Sequence, residues 1–320
     1  MADVRSAGAA GPAPTQEIQE GRALFRGRIV PLAEANVSIA THALNYGTGC
    51  FEGIRAYWNE EQQQLFVLKL RDHYRRFLSS CSLVRIECRY TLDELCDITL
   101  ELLRQNNLRE DTYIRPIAFK ASQVIKVTLE GLRDEVAVFC APMGNYVSVS
   151  GLSVQVSAWQ RISDNAVPSR SKTTGSYVNT ALAVDQAKRD GYDDAILLNR
   201  DGHVAEASGA NLFVVRGGKL VTPAVTEDIL EGITRQAVRT LAARLGLEVV
   251  ERTIDRTELY VCDEAFLVGT GAQVAPIVSV DRRPVGDGKV GPIVQSLQEA
   301  YFRAVRGDDP ECLEWLDTVY

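Results

Sequence analysis

The sequence is poor in the residues that usually signal a metal centre or a disulfide framework. Histidine occurs three times in 320 residues, too few for a histidine-rich metal site. The seven cysteines (Cys50, Cys81, Cys88, Cys96, Cys140, Cys262 and Cys312) are odd in number, widely scattered and without a C-x-x-C pair. They are expected to be reduced, buried small hydrophobes. No run of about 18 apolar residues occurs, which argues against a membrane-spanning helix. The opening stretch MADVRSAGAAGPAPTQEIQEG lacks the apolar h-region of a secretory signal. The net charge of -7 comes without a long run of one sign, so neither nucleic acid nor an anionic membrane is a natural partner. No internal repeat is visible. The expectations are a small-molecule partner, a cytoplasmic setting and a disordered stretch over residues 1–20.

What is present is an ordinary globular composition, 46% hydrophobic and 24% charged, long enough for one large or two medium domains. The short β-branched or aromatic runs FEGIRAY (51–57), QLFVLKL (64–70), TYIRPIAFKA (112–121) and VAVFCAPM (136–143) read as strands. Two helices lie among them. DHYRRFLSSCSLV starts at an Asp, and TLDELCDITLELLRQNN opens with Thr91 and Glu94 in capping-box spacing and carries Leu95, Ile98, Leu102 and Leu103 at helical spacing. The small, polar stretch GNYVSVSG (144–151) reads as a linker. Beyond it SVQVSAW, DAILLN, HVAEAS, NLFVVRGGKLVTP, EVVERTI, EAFLVGT and VAPIVSVD read as strands, with helices at about 179–190, 232–245 and 291–306 and a hairpin turn at RGGK. The fold class is therefore α+β, with a smaller domain over 21–143 and a larger one over 152–320.

The segment SDNAVPSRSKTTGSYVN (163–179) combines S-D-N, S-x-x-K and a loose K-T-G, the motif set of serine β-lactamases and penicillin-binding proteins. In those enzymes the motifs stand far apart, in another order, and use two lysines. Here they are crowded together and share Lys172. Ser169 would have to begin a helix with Lys172 one turn on, yet Thr173, Thr174 and Gly175 are poor helix formers. A serine hydrolase is therefore not expected. A solvated loop lysine is the simpler alternative, but small polar neighbours suit a ligand lying close to the backbone, a helix starts shortly after, and Tyr177 follows. A lysine acting as an amine nucleophile needs a carbonyl partner, as pyridoxal phosphate provides.

The stretches HALNYGTGCFEGIRAY, YIRP, SKTTGSYVNTALA, GYDDAILLNRDGHVAEASGANLF and ILEGITRQAV, with FLVGTGAQVAPIVSVD behind them, span residues 42–281. Together they resemble the fold-type IV pyridoxal-phosphate enzymes, and among these the branched-chain amino acid aminotransferases. The resemblance implies two α/β domains with the cofactor site at their interface, and a homodimer whose pocket takes residues from the neighbouring subunit. The implied reaction is transamination between leucine, isoleucine or valine and 2-oxoglutarate. Lys172 is then the catalytic residue and covalent tether of pyridoxal 5'-phosphate, Glu206 the partner of its ring nitrogen, and Tyr177 the hydrogen-bonding neighbour of its phenolic oxygen. The phosphate falls to Arg76, in register with His73 as H-x-x-R, to Ile233 and Thr234 at a helix start, and to Thr270. Arg235, on the same helix, is expected to face solvent.

For the substrate, the resemblance gives the α-carboxylate to Tyr113 and the amides of Gly271 and Ala272, the side-chain pocket to Tyr46 and Phe51, and the γ-carboxylate of glutamate to Arg115. Strand alternation places Phe51, Gly53 and Arg55 on one face, and Tyr113, Arg115, Ile117 and Phe119 on another. Gly53 marks the close approach of a ligand. The chain departs from the family pattern in having Gly271 and Gln273 in G-T-G-A-Q, Ala207 and Ala210 in E-A-S-G-A-N, and Ser176. The alternatives within the fold are a transaminase for D-amino acids or (R)-amines and an aminodeoxychorismate lyase. The D-amino acid enzymes carry an R-x-H carboxylate trap where this chain has Y-I-R-P, which favours the branched-chain substrate.

Overall fold

A computed structural model describes residue 18, residues 20–144 and residues 151–320. Most of the expected disordered stretch and of the expected linker lies outside the described residues.

From Arg22 to Pro142 the chain builds an antiparallel sheet of β1 (Arg22–Phe25), β2 (Arg28–Pro31), β3 (Gly49–Phe51), β4 (Ile54–Asn59), β5 (Gln64–Leu68), β6 (Thr112–Lys120) and β7 (Asp134–Pro142). With it go a short helix α1 (His42–Tyr46), α2 (Leu70–Leu83) and α3 (Leu92–Asn106). The capping box of α3 is closed: the Thr91 hydroxyl accepts from the Glu94 N–H while the Glu94 carboxylate accepts from the Thr91 N–H. Helix α2 begins earlier than Asp72, because Lys69 takes a left-handed φ of 47° that turns the chain directly off β5. Tyr74, Phe77 and Cys81 of α2 and Leu95, Leu102 and Leu103 of α3 pack over Cys50, Ile54, Leu65 and Ile114 on one face of the sheet. The other face, with Tyr113, Arg115 and Ile117, borders a large cavity.

The second sheet contains β8 (Leu152–Val156), β9 (Asp194–Leu198), β10 (Val204–Ala207), β11 (Asn211–Arg216), β12 (Lys219–Thr222), β13 (Val249–Glu251), β14 (Glu264–Gly269), β15 (Gln273–Val280) and β16 (Arg283–Pro284). Its helices are α4 (Tyr177–Arg189), α5 (Ile233–Arg244) and α6 (Pro292–Val305). The strand order is β10-β9-β8-β15-β14-β11-β12-β13, with β8 parallel to β9 and β15, and β12 parallel to β13. Although β10 and β13 are end strands, the Val204 N–H donates to the Ile254 carbonyl at 2.9 Å, so the sheet curls towards closure. Leu212, Val214, Leu267 and Ile277 fill its concave side. Helices α5 and α6 cover the other side through Val238, Leu241, Val294 and Leu297. The last strand, β17 (Leu316–Thr318), returns to pair with β5 in the first sheet, across any division drawn at 144–151.

The two bodies are tied by the Tyr57 and Tyr301 hydroxyls, 2.9 Å apart, and by Arg306, whose guanidinium donates to both carboxylate oxygens of Asp111. Two glycines face each other across the seam between them. A Cβ on Gly47, where φ is 66°, would lie 2.8 Å from the Gly175 Cα. Gly131 has a similar φ of 69° but nothing within 4 Å. The left-handed conformation costs a non-glycine residue about 1–2 kcal/mol at either position. Gly47→Ala is therefore expected to lower the thermal unfolding midpoint well beyond Gly131→Ala, and equal shifts would show that the close approach is dispensable.

Candidate active site

Lys172 is placed by backbone pairing across the two bodies. Cys50 of β3 forms an isolated bridge with Thr173. The Phe51 N–H donates to the Lys172 carbonyl and the Thr174 N–H to the Gly49 carbonyl, each at 2.9 Å. The Lys172 N–H donates to the Ser80 hydroxyl of α2 at 3.2 Å. The side chain leaves this seam to donate from Nζ to the Tyr177 hydroxyl at 2.6 Å, beside the Phe51 ring. Ser169 does not share in this: both its N–H and its hydroxyl donate to Asp164 Oδ1 at 2.8 Å.

Between the sheets lies a cavity of about 710 Å³. Its walls bring together Phe51, Gly53, Arg76, Tyr113, Arg115, Lys172, Tyr177, Glu206, Ile233, Thr234, Thr270 and Gly271 from the set predicted by sequence. Two predicted residues do not line it. Tyr46 lies on α1, 36% exposed, with its ring 4.6 Å from that of His42. The Ala272 side chain is buried in the core of the second sheet. Arg55 shares the Tyr113 face by register but is closed off at its end, donating to the Met143 and Gly144 carbonyls at 3.1 and 3.0 Å. Gly53 lines the cavity, and a Cβ there would collide with the Tyr113 hydroxyl, so the bare backbone makes room for this ring beside the space open to a ligand.

Glu206 sits mid-cavity on β10, held on one oxygen by Arg161 at 3.0 Å and on the other by the Asn211 amide at 3.0 Å and the Leu230 N–H at 3.1 Å. Burial raises its carboxyl above the usual range, opposed by Arg161, by the Leu230 N–H and, less strongly, by Lys172 and Arg76. Helix α5 points its N-terminus, with the free N–H groups of its first turn, into the same cavity. Its N-cap must be glycine, since a Cβ on Gly232 would meet the Asn211 side chain at 2.0 Å. The expectation that Arg235 faces solvent is overturned. It is 2% exposed, donating to the Thr222 hydroxyl, the Pro223 carbonyl and Glu251, because β12 and β13 cover that side of the helix. The neighbouring arginines on α2 point in different directions. Arg75 is exposed and pairs with Asp72, whereas Arg76 is turned inward.

The Thr270 hydroxyl donates to the Gly53 carbonyl at 2.8 Å, joining the ends of the two sheets beside the α5 N-terminus. Together Thr270, Arg76 and the α5 amides can hold a phosphate-sized anion. Arg115 differs from the other cavity arginines. It donates to the Tyr113 hydroxyl at 2.7 Å and lies 4.3 Å from the Phe51 ring centroid, and no carboxylate pairs with it among the described residues. Among those residues there is also no group of three or more His, Cys, Asp or Glu side chains that could hold a metal ion.

Two polar residues of the site were missed from sequence. Arg161 stands in an irregular loop with no periodic signal. Glu52 was legible: strand alternation puts it with Cys50, Ile54 and Ala56 on the face that α2 covers, where a carboxylate demands a cation. Arg76 supplies that cation, and His73 adds a hydrogen bond.

The family model for class IV amino-transferases matches residues 49–280. A probable branched-chain-amino-acid aminotransferase of Aquifex aeolicus is 49% identical over 300 residues, 93% of this chain and 96% of that protein. Among solved structures, the branched-chain aminotransferase of Thermoproteus uzoniensis with norvaline superimposes with a TM-score of 0.91 at 42% identity, covering 94% of this chain and all of that one. The branched-chain amino acid aminotransferase of Thermobaculum terrenum in its PLP form gives 0.90 at 38% identity, covering 95% of this chain and all of that one. The chain belongs to the class IV aminotransferases.

Because Ser169 is committed to Asp164 and Lys172 to Tyr177, Ser169→Ala is expected to cost about 1 kcal/mol of stability, the value of a typical hydrogen bond, and to leave turnover within a few-fold. Loss of turnover in the folded variant would reinstate Ser169 as a catalytic group.

Proposed function

We propose that this chain is a pyridoxal-phosphate-dependent aminotransferase that moves the amino group of leucine, isoleucine or valine to 2-oxoglutarate. One observation carries the proposal. A single cavity holds a lysine amine on a tyrosine hydroxyl, a buried carboxylate, an anion cradle at a helix N-terminus, and an arginine without a carboxylate partner set among aromatic rings. These donors fit the cofactor's chemistry. Arg76, Thr270 and the Ile233 and Thr234 amides suit its phosphate, Glu206 its ring nitrogen, Tyr177 its phenolic oxygen and Lys172 its aldehyde. When bound, the cofactor supplies an electron sink for the substrate's α-carbon.

The protein's residues do the rest. The Lys172 amine takes the proton from the substrate Cα and holds it for return, with the Tyr177 hydroxyl as its neighbour. Glu206, where Arg161 and the Leu230 N–H oppose the effect of burial, would hold a proton on the ring nitrogen. Tyr113 and the Gly271 and Ala272 amides orient the substrate carboxylate, while Phe51 and Ile117 exclude water from an aliphatic side chain. Tyr46 fits this scheme as a residue given to the pocket of a second copy. The exposed Ile39, Leu44, Ile125 and Val127, the last two 90% and 87% exposed, form an apolar surface near it that supports a homodimer. The free thiols suit a cytoplasmic setting.

The two substrates bind in turn, and Arg115 serves only the one with a second carboxylate. A charge-assisted hydrogen bond of this kind contributes about ten- to 150-fold in affinity or rate. Arg115→Leu is therefore expected to weaken the glutamate and 2-oxoglutarate half-reactions by that factor while leaving the leucine half-reaction within a few-fold, each followed by the cofactor's visible absorbance. Equal losses on both sides would remove Arg115 from this role. Failure of L-leucine to react at all in the unaltered enzyme, with D-leucine or an (R)-amine reacting instead, would overturn the substrate class.

A further inference from the structure

One buried carboxylate has no part in the scheme above. Glu52, at the break between β3 and β4, is fully buried beneath α2. Arg76 donates to it through Nε at 2.8 Å and Nη2 at 2.9 Å, a two-pronged grip, and His73 Nδ1 lies 2.9 Å from the same carboxylate. The remaining Nη1 of Arg76 donates to the Glu231 carbonyl at 2.8 Å, immediately before the N-cap of α5. A guanidinium has five N–H donors in a rigid fork, and these bonds occupy three of them on fixed partners. Burial alone would raise the Glu52 carboxyl, but Arg76 and the His73 hydrogen bond hold it well below the usual glutamate range. The pair therefore adds little net charge to the cradle. It fixes direction instead, since an arginine gripped on both edges loses the freedom of its long side chain.

We infer that Glu52 is a positioning residue for the cofactor's phosphate: it holds the Arg76 fork against the α5 N-terminus so that the free donors of this cavity-lining side chain are set for the anion. The inference rests on the proposed role of Arg76 as a phosphate anchor. His73, bonded to the same Oε2 that accepts from Arg76 Nη2, helps keep Glu52 from turning.

The test compares two ligands, pyridoxal 5'-phosphate and pyridoxal, which differ only in the phosphate. Both are titrated into the full-length chain freed of cofactor. For Glu52→Gln the preference for the phosphorylated ligand should fall on the order of tenfold, as for a lost charged hydrogen bond, while affinity for pyridoxal stays within a few-fold. Arg76→Ala should lower the preference at least as much, and the double variant should lower it no further. Equal weakening of both ligands by Glu52→Gln would mean a structural role only and overturn the inference. So would an unchanged preference in Glu52→Gln alongside a lowered one in Arg76→Ala. An unchanged preference in Arg76→Ala would instead remove Arg76 as the anchor. Should Glu52→Gln fail to fold, Glu52→Asp, which keeps the charge but shortens the reach, is read by the same ratio and with the same outcomes.

Discussion

The molecule turns on a few backbone hydrogen bonds between residues 172–174 and the short edge strand β3. An unpaired strand edge is a row of open donors and acceptors, and here a loop of the second body takes them up through Phe51, Gly49 and Thr174. This pairing fixes the Lys172 backbone on the first sheet while its side chain enters the space between the two. Placement at this precision matters, because an error of about 1 Å at a reacting group can cost on the order of a hundredfold in rate. The facing glycines Gly47 and Gly175 are part of the same constraint, since they let the two backbones come together.

Charge in the cavity follows one pattern. Glu52 is matched by Arg76 and Glu206 by Arg161, with bonds of 2.8 to 3.0 Å. Removing one member of such a buried pair costs about 3–5 kcal/mol, because the partner's charge is left buried and uncompensated. Arg115 stands apart, resting on the Phe51 ring and the Tyr113 hydroxyl. Ring faces and a hydroxyl satisfy a cation only in part, which leaves capacity for an arriving carboxylate and does not forbid an aliphatic side chain in its absence. This is the kind of pocket that the proposed alternation of two unlike substrates requires.

How much of this the sequence disclosed depended on what kind of contact was involved. The alternation in Tyr113, Arg115 and Ile117 was readable because β6 is one unbroken strand over Thr112–Lys120. The same rule put Arg55 on the right face but could not show that the Met143 and Gly144 carbonyls close over it. For Gly53 it suggested the close approach of a ligand but could not show that the Tyr113 hydroxyl also comes close. Helical periodicity put Ile233, Ala237, Val238, Leu241 and Leu245 on the apolar face of α5; the first four are buried but Leu245, where the helix ends, is exposed. Arg235 was misjudged, since the parallel strand β13 that buries a further side of the helix joins the sheet through a non-local pairing. Arg161 reaches Glu206 from a loop without periodicity, so only the folded geometry reveals it. Tyr46 was read as a pocket residue, but within one chain α1 leaves it outside.

On the proposed function, the amine placed in the cavity by the β3 pairing is the cofactor's attachment point. The direct measurement is to reduce the cofactor-loaded protein with borohydride, digest it and locate the pyridoxyl group by peptide mass. The label is expected on Lys172, in the peptide containing Thr173 and Thr174, at about one per chain. A label on any other lysine, or none in a protein that carries the cofactor, would contradict it.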